Sequence, residues 1–401
     1  MRTALVGGTI IDCTGGGPVP DGVLITDDEK IAALGRRADV AVPEDAQVVD
    51  VTGMTILPGF INTHDHLGLP DPSDPVLDYA AEARLLHTSS GQYRQSFALR
   101  YGEQELRDGV TTVRILGERD YLDLDYKDTF DRDLSPGPRV IPSGPAVATS
   151  AQFHGTWVSV VADGPEGLIA AVRRSVVRDV KVIKLVMSGG YRQGVPKGLT
   201  TCYFSREEIR AVIDEAHKFD VKVCAHLNGG IGVDWSVEAG IDGIEHAMEL
   251  SDRELELVAA SDAYIGVTSG WFGTDLYRRL LGDRSEIVAG KLRRMYDSGA
   301  KIALGNDEVH ADHGMARQMI LLAEIGISPM EVLQIATRHG AIACGVADRR
   351  GTLEPGYDAD VIALGGDPLA DMTATRDVRM VMKAGRIYFG LGHTPPGAPW
   401  H

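Results

Sequence analysis

The run FINTHDHLG, residues 60–68, sets two histidines one residue apart. In a strand, side chains at i and i+2 point to the same face. His64 and His66 would then present two imidazoles side by side, as a metal ion requires of its ligands. The preceding TILPGF is apolar and β-prone and predicts a strand that ends at the pair. Groups of the same chemical kind close other apolar runs: His226 in KVCAHLNGG, His246 in GIEHAMEL and Asp307 in ALGNDEVH. Of twelve histidines, seven (His64, His66, His154, His226, His246, His310, His313) fall at or just after such runs. His217 and His339 fall in helical patterns, His87 in a connecting segment, and His393 and His401 in the tail.

Lys184 stands among apolar residues in VKVIKLVMSGG, where an unpaired lysine is rare. Taken alone, such a lysine snorkels to the strand end or pairs with an acid. Beside four histidines and an aspartate on neighbouring strands, the stronger reading is a desolvated lysine of depressed pKa. Such a lysine reacts with CO2 to give a carbamate, an oxygen ligand able to bridge two metal ions.

Eight apolar runs must position these groups: 54–61, 110–116, 139–143, 180–187, 221–227, 240–247, 263–269 and 300–307. Helical patterns such as SREEIRAVIDEAHKF (205–219) and SPMEVLQIATRHGAIACGV (328–346) lie between or after them. Strands alternating with helices imply parallel βαβ units, and eight units match an α/β fold of (β/α)8 TIM-barrel type. In that fold the strand ends carry the active site. Short β-like runs at 1–57 and again near the C-terminus predict a small β-sandwich domain built from both chain ends. The expected division is a composite domain of 1–57 with 352–401, around a barrel at 58–351.

The chain has 401 residues, a formal charge of −17 and an ordinary composition, 44% hydrophobic and 24% charged. Such acidity argues against nucleic-acid binding. No apolar run is long enough to span a bilayer. The four cysteines (Cys13, Cys202, Cys224, Cys344) are scattered, with no CxxC spacing, which fits a reducing compartment and predicts a cytoplasmic protein. DEAH at 214–217 lacks the phosphate-binding loop of a helicase, and GGIG at 229–232 lacks the dinucleotide-binding spacing.

Six stretches together, LPGFINTHDH, GVTTVRILG, VKVIKLVMSGG, CAHLNGG, GIEHAMEL and LGNDEVHADHG, resemble the amidohydrolase superfamily, as does the closing GTLEPGYDADVIAL. The resemblance covers nearly the whole chain. It is nearest to the binuclear branch of Xaa-Pro and Xaa-Arg dipeptidases, arylurea and ochratoxin hydrolases and imidazolonepropionase-like enzymes. It implies that His64, His66 and Asp307 bind one divalent ion, His226 and His246 a second, and carbamylated Lys184 bridges both. Zinc suits imidazole and carboxylate ligands. It further implies a metal-dependent hydrolase in which a metal-bridging hydroxide attacks an amide-type C–N bond, with Asp307 as proton shuttle. The leading substrates are an N-acyl amino acid, a dipeptide or an arylamide; the alternative is a urea, carbamate or cyclic amide. A deaminase or an inactive scaffold follows behind. The expected partner is a small-molecule substrate, and relatives of this kind are often homo-oligomers.

Departures from the family pattern are Asn62 for Asp, Asn306 for Thr, Ile115 for Asp, Phe153 for Gly, and Asn228 where an aromatic is common. Candidates for substrate contact are His154, Arg114, Tyr191 and His313; Arg114 either holds a substrate carboxylate or makes only a structural ion pair at its strand end. Arg192, Tyr203, Trp271 and Phe272 are expected in loops on the same side.

Overall fold

The computed structural model describes residues 1–85, 87–152, 155–190, 198–310 and 314–391. Both chain ends meet in one mixed sheet. Its first part holds β1 (Arg2–Ile10), β2 (Val19–Asp27), β3 (Lys30–Arg36), β4 (Gln47–Asp50) and β5 (Thr55–Pro58). The middle of the chain then supplies ten strands. They are β6 (Phe60–Asp65), β7 (Val110–Ile115), β8 (Arg139–Ile141), β9 (Ala146–Ala148), β10 (Ser159–Val161), β11 (Val182–Val186), β12 (Lys222–Leu227), β13 (Gly243–His246), β14 (Tyr264–Val267) and β15 (Lys301–Leu304). β16 (Val361–Leu364), β17 (Val378–Lys383) and β18 (Arg386–Gly390) return to the first sheet.

That sheet runs β18-β17-β16-β5-β1-β2-β3, with β4 also on β1. β5 and β16 join the two chain ends in antiparallel register, Thr55 opposite Leu364 and Pro58 opposite Val361. The expected sandwich is thus a single hydrogen-bonded sheet among the described residues. It is also not purely antiparallel, because β1 pairs in parallel with β4 and with β5. Alternation along β1 puts Leu5 in one apolar cluster with Leu24 and Val49, and Ala4 and Val6 in another with Val23 and Ile25. Both faces are therefore packed.

The middle strands form two parallel sheets, β6-β7-β8 and β10-β9-β11-β12-β13-β14-β15. Each of the eight expected runs contains a strand. The first is broken in two: β5 belongs to the composite sheet and β6 to the parallel one, with Gly59 between them. A Cβ on Gly59 would collide with Thr111 Oγ1, so only glycine lets the chain pass from one sheet to the other. The third run continues into a strand that sequence patterning did not indicate. β8 pairs with β7, and β9, five residues on, pairs with β10 and β11.

Helices cover the parallel strands and bury a large core that includes Leu185, Val223, Ile244 and Ile265. Arg206–His217 begins where the sequence says it should. Ser205 and Glu208 form a reciprocal capping box that satisfies two backbone N–H groups. The pattern over 328–346 is less regular than expected. A π turn at Ile335–His339 separates helices Pro329–Gln334 and Gly340–Cys344. This seats Gly340 against β6, where an added Cβ would lie 3.0 Å from Ile61 Cβ.

Candidate metal centre

His64 lies in β6 and His66 just past its end. His64 Nε2 is 3.5 Å from Asp307 Oδ1, and His66 Nε2 is 3.4 Å from the same oxygen. His246, the last residue of β13, places Nδ1 3.7 Å from Asp307 Oδ2. Potential ligand atoms of His64, His246 and Asp307 all lie within 4.8 Å of one another, and so do those of His66, Asp307 and Glu308. Lys184, in β11, is 3% exposed and brings Nζ to 3.5 Å from His64 Nε2. His226, in β12, stacks obliquely on His246 with ring centroids 4.3 Å apart.

The opposite ring nitrogens are held as metal-ligating histidines require. His66 Nδ1 donates to Gly117 O at 3.0 Å, leaving Nε2 as the lone-pair nitrogen toward Asp307. His226 Nε2 donates to Gly189 O at 3.0 Å. His64 Nδ1 meets Glu245 Oε2 at 2.8 Å. His246 is the exception: its Nδ1, the nitrogen that faces Asp307, also meets Thr268 Oγ1 at 2.7 Å. Burial, reinforced by the Lys184 charge, holds His64 well below the usual imidazole pKa and takes His226 down to about 3. Both rings are thus neutral at pH 7, the state in which imidazole binds a metal. Burial also lowers the Lys184 pKa, against the opposing pull of Glu245.

The chain is bent into the left-handed region at two of the converging residues and their neighbours. φ is +72° at His246, +56° at Ala247, +49° at Asp307 and +72° at Glu308. Such conformations cost non-glycine residues roughly 1–2 kcal/mol each and concentrate at functional sites. They turn the His246 and Asp307 side chains into the same cavity, which is also lined by Trp157, Val158, Met248, Trp271, Phe272 and Tyr277. Trp271 Nε1 donates to Asp307 O, tying the aromatic wall to the ligand loop.

A model of the amidohydrolase family matches residues 55–388. The chain belongs to the amidohydrolase family. The chain is 26% identical to the ochratoxinase of Aspergillus niger over 95% of its own length and 86% of that protein. Two crystal structures share its fold: a Xaa-Pro dipeptidase with methionine bound in its active site and phenylurea hydrolase B. The dipeptidase has a TM-score of 0.85 and 23% identity, over 97% of this chain and all of that one. The urea hydrolase has a TM-score of 0.80 and 24% identity, over 97% of each chain. This amidohydrolase is a hydrolytic enzyme acting on amide-type C–N bonds, and its His and Asp groups are able to hold metal. No helix among the described residues is long and apolar enough to cross a membrane.

Of the residues expected to contact substrate, Arg114 is a correction. It is 4% exposed and does not line the cavity. Its guanidinium is committed inside the protein: Nε to Thr63 O at 2.7 Å, Nη1 to Ala343 O at 3.1 Å, and Nη2 to Glu245 Oε1 at 3.0 Å. Tyr203 also stands off the cavity wall, whereas Trp271 and Phe272 line it. His154, Tyr191 and His313, like Arg192 and Phe153, lie outside the described residues.

Sequence reading missed Glu245, which holds His64 and Arg114 at once. The available signal was the one that exposed Lys184: a charged residue inside an apolar strand, here GIEH. It also passed over Glu105, and it gave His310 no role beyond its place after an apolar run.

Proposed function

We propose that the chain hydrolyses the amide bond of an N-acyl amino acid, a dipeptide or an arylamide at a binuclear centre, with zinc as the metal. His64, His66 and Asp307 hold one ion, His226 and His246 the other, and carbamylated Lys184 lies between them. The supporting observation is the convergence of four imidazoles, a buried lysine and a carboxylate on one cavity that aromatic side chains also line. When bound, such a metal pair supplies an acidified water and polarises the scissile carbonyl.

The side chains do the remaining work. The Asp307 carboxylate, 17% exposed, faces both the imidazoles and the cavity. It takes the proton from the attacking water and returns it to the leaving nitrogen. Lys184 bears its carbamate through a new N–C bond to CO2, with release of a proton. Burial supplies the neutral amine this needs. His154 donates to the substrate carbonyl, with Tyr191 and His313 completing the substrate side.

The same reading makes the two parallel sheets arcs of one (β/α)8 barrel at 58–351, capped by a domain of 1–57 with 352–401. Its support is the bonding between β6 and the end of β15: Thr63 Oγ1 to Leu304 O at 2.8 Å and Asp307 N to His64 O at 2.9 Å.

A urea, carbamate or cyclic amide is the second reading. It is favoured because, among the described residues lining the cavity, no arginine and no lysine besides Lys184 stands ready to hold a substrate carboxylate. Hydrolysis rates for an N-acyl aromatic amino acid, an arylamide without a carboxylate and an arylurea of the same ring separate the readings. The rates are measured on metal-stripped protein before and after zinc is restored. Zinc-dependent cleavage of an amide supports the first reading, and preference for the urea supports the second. No cleavage of any of the three by protein loaded with zinc overturns both.

A further inference from the structure

Behind the ligand cluster lies a second group of ionisable side chains, sealed from solvent, that the hydrolytic chemistry does not use. Asp65 of β6, Glu105 of helix Gly91–Arg107 and His310 of the loop after β15 are 0%, 2% and 0% exposed. His310 Nδ1 is 3.2 Å from Glu105 Oε1, and its Nε2 is 3.3 Å from Asp65 Oδ1. The three could together ligate an ion, but the carboxylate oxygens already have N–H donors. Asp65 Oδ1 accepts from His66 N at 2.6 Å and Oδ2 from Asn62 Nδ2 at 2.6 Å. Glu105 Oε1 accepts from Asn306 Nδ2 at 2.5 Å, and Oε2 from Asn62 Nδ2 at 3.2 Å. The imidazole is bonded to Glu105 through Nδ1, while Nε2 faces Asp65 without a hydrogen bond.

Its connections run to the ligands. Asn62 Oδ1 accepts from His64 N at 3.2 Å and from Asn306 N at 3.0 Å. One amide thus joins the backbone that carries His64 to the backbone that carries Asp307. Glu105 grips both asparagines from beneath. His310 is fixed in turn: its N donates to Asp71 Oδ2 at 2.5 Å, and Tyr101 stacks on its ring at 4.5 Å. Buried ionic groups of this kind are often no more stabilising than apolar residues of the same size, so stability alone does not account for them.

The geometry points to Glu105 and His310 as positioning residues. Through Asn62 and Asn306 they set the separation of the His64/His66 strand from the Asp307 loop, and hence the span into which a metal must fit. This rests on the reading of His64, His66 and Asp307 as ligands.

The test uses the full chain as wild type, Glu105→Gln and His310→Gln. Two properties are read: amide hydrogen exchange at Asn306 and Asp307 in metal-free protein, and zinc affinity by chelator competition. Thermal unfolding is followed alongside. The expected result is faster exchange at Asn306 and Asp307 and zinc affinity reduced about 10–100-fold in either variant, without matching loosening of the composite sheet. Exchange at those amides and zinc affinity both indistinguishable from wild type, in a variant that folds, overturns the assignment. Wild type that binds no zinc would sink the reading of the metal centre, while the exchange rates would still decide the positioning role.

Discussion

Glu245 Oε2 lies 2.8 Å from His64 Nδ1, while its other oxygen receives Arg114 Nη2 at 3.0 Å. One fully buried carboxylate thereby fixes the orientation of the His64 imidazole and neutralises a buried guanidinium. A carboxylate behind a ligand histidine selects its tautomer and raises its basicity. Glu245→Gln should lower zinc affinity on the order of 10–100-fold and also lower the unfolding midpoint, because Arg114 loses its counter-charge, as read by chelator competition and urea unfolding.

Removing the other partner should act differently. Arg114→Leu leaves Glu245 charged, buried and unpaired, which typically costs about 3–5 kcal/mol. The expected outcome is a lower unfolding midpoint in urea, with KM for carboxylate-bearing and carboxylate-free amides shifted alike. A KM rise confined to carboxylate-bearing substrates, at unchanged stability, would return Arg114 to the role of substrate anchor.

Gly305 sits where β15 passes β6. A Cβ there would lie 2.5 Å from His64 Cβ and 2.8 Å from His64 N. Gly305→Ala should push the two strands apart, at a cost of about 1–3 kcal/mol for overpacking. Zinc retention should fall along with the melting temperature. A melting temperature and zinc content equal to wild type would mean that β6 and β15 are not in this contact.

Two neighbours in the cavity wall should separate kinetically. Trp271 bonds the Asp307 carbonyl and stacks edgewise on Tyr277 at 4.8 Å, whereas Phe272 lines the wall and meets the Tyr277 ring edgewise at 5.7 Å. Trp271→Phe should lower kcat by loosening the loop of Asp307. Phe272→Leu should raise KM for an arylamide with kcat preserved. The reverse assignment in steady-state kinetics would contradict the role given to Trp271.

The cysteines give a pH-linked check on burial. Burial pushes the Cys13 and Cys224 thiols up to about 12, and raises Cys344 and Cys202 as well. A raised pKa leaves less thiolate at pH 8, and thiolate is the reactive form. Three of the four are buried, and Cys202 is partly exposed. A thiol reagent at pH 8 should therefore find at most Cys202 in native protein and all four after denaturation. Rapid reaction of two or more native thiols would contradict the packing around β12.

What the sequence made legible was whatever announces itself locally. His64 and His66 did so because strand periodicity alone places them together. His226, His246 and Asp307 did so because apolar runs end on them, and Lys184 because it interrupts one. Glu245, Glu105 and His310 carry no such mark. Their roles come from pairings across the fold: Glu245 with Arg114 of β7, Glu105 with His310 about two hundred residues later. β9 and β10 escaped notice because three-residue strands are too short for a pattern. The left-handed turns at His246 and Asp307 escaped it because neither is glycine, and only packing could impose them.

The most direct measurement is the metal content and intact native mass of the chain purified without chelator and with bicarbonate present, compared with Lys184→Ala. About two metals per chain are predicted, with a mass increment of one CO2 on the wild type and sharp loss of both in the variant. One metal per chain, no CO2 increment and no change on replacing Lys184 would contradict the binuclear, carbamate-bridged centre.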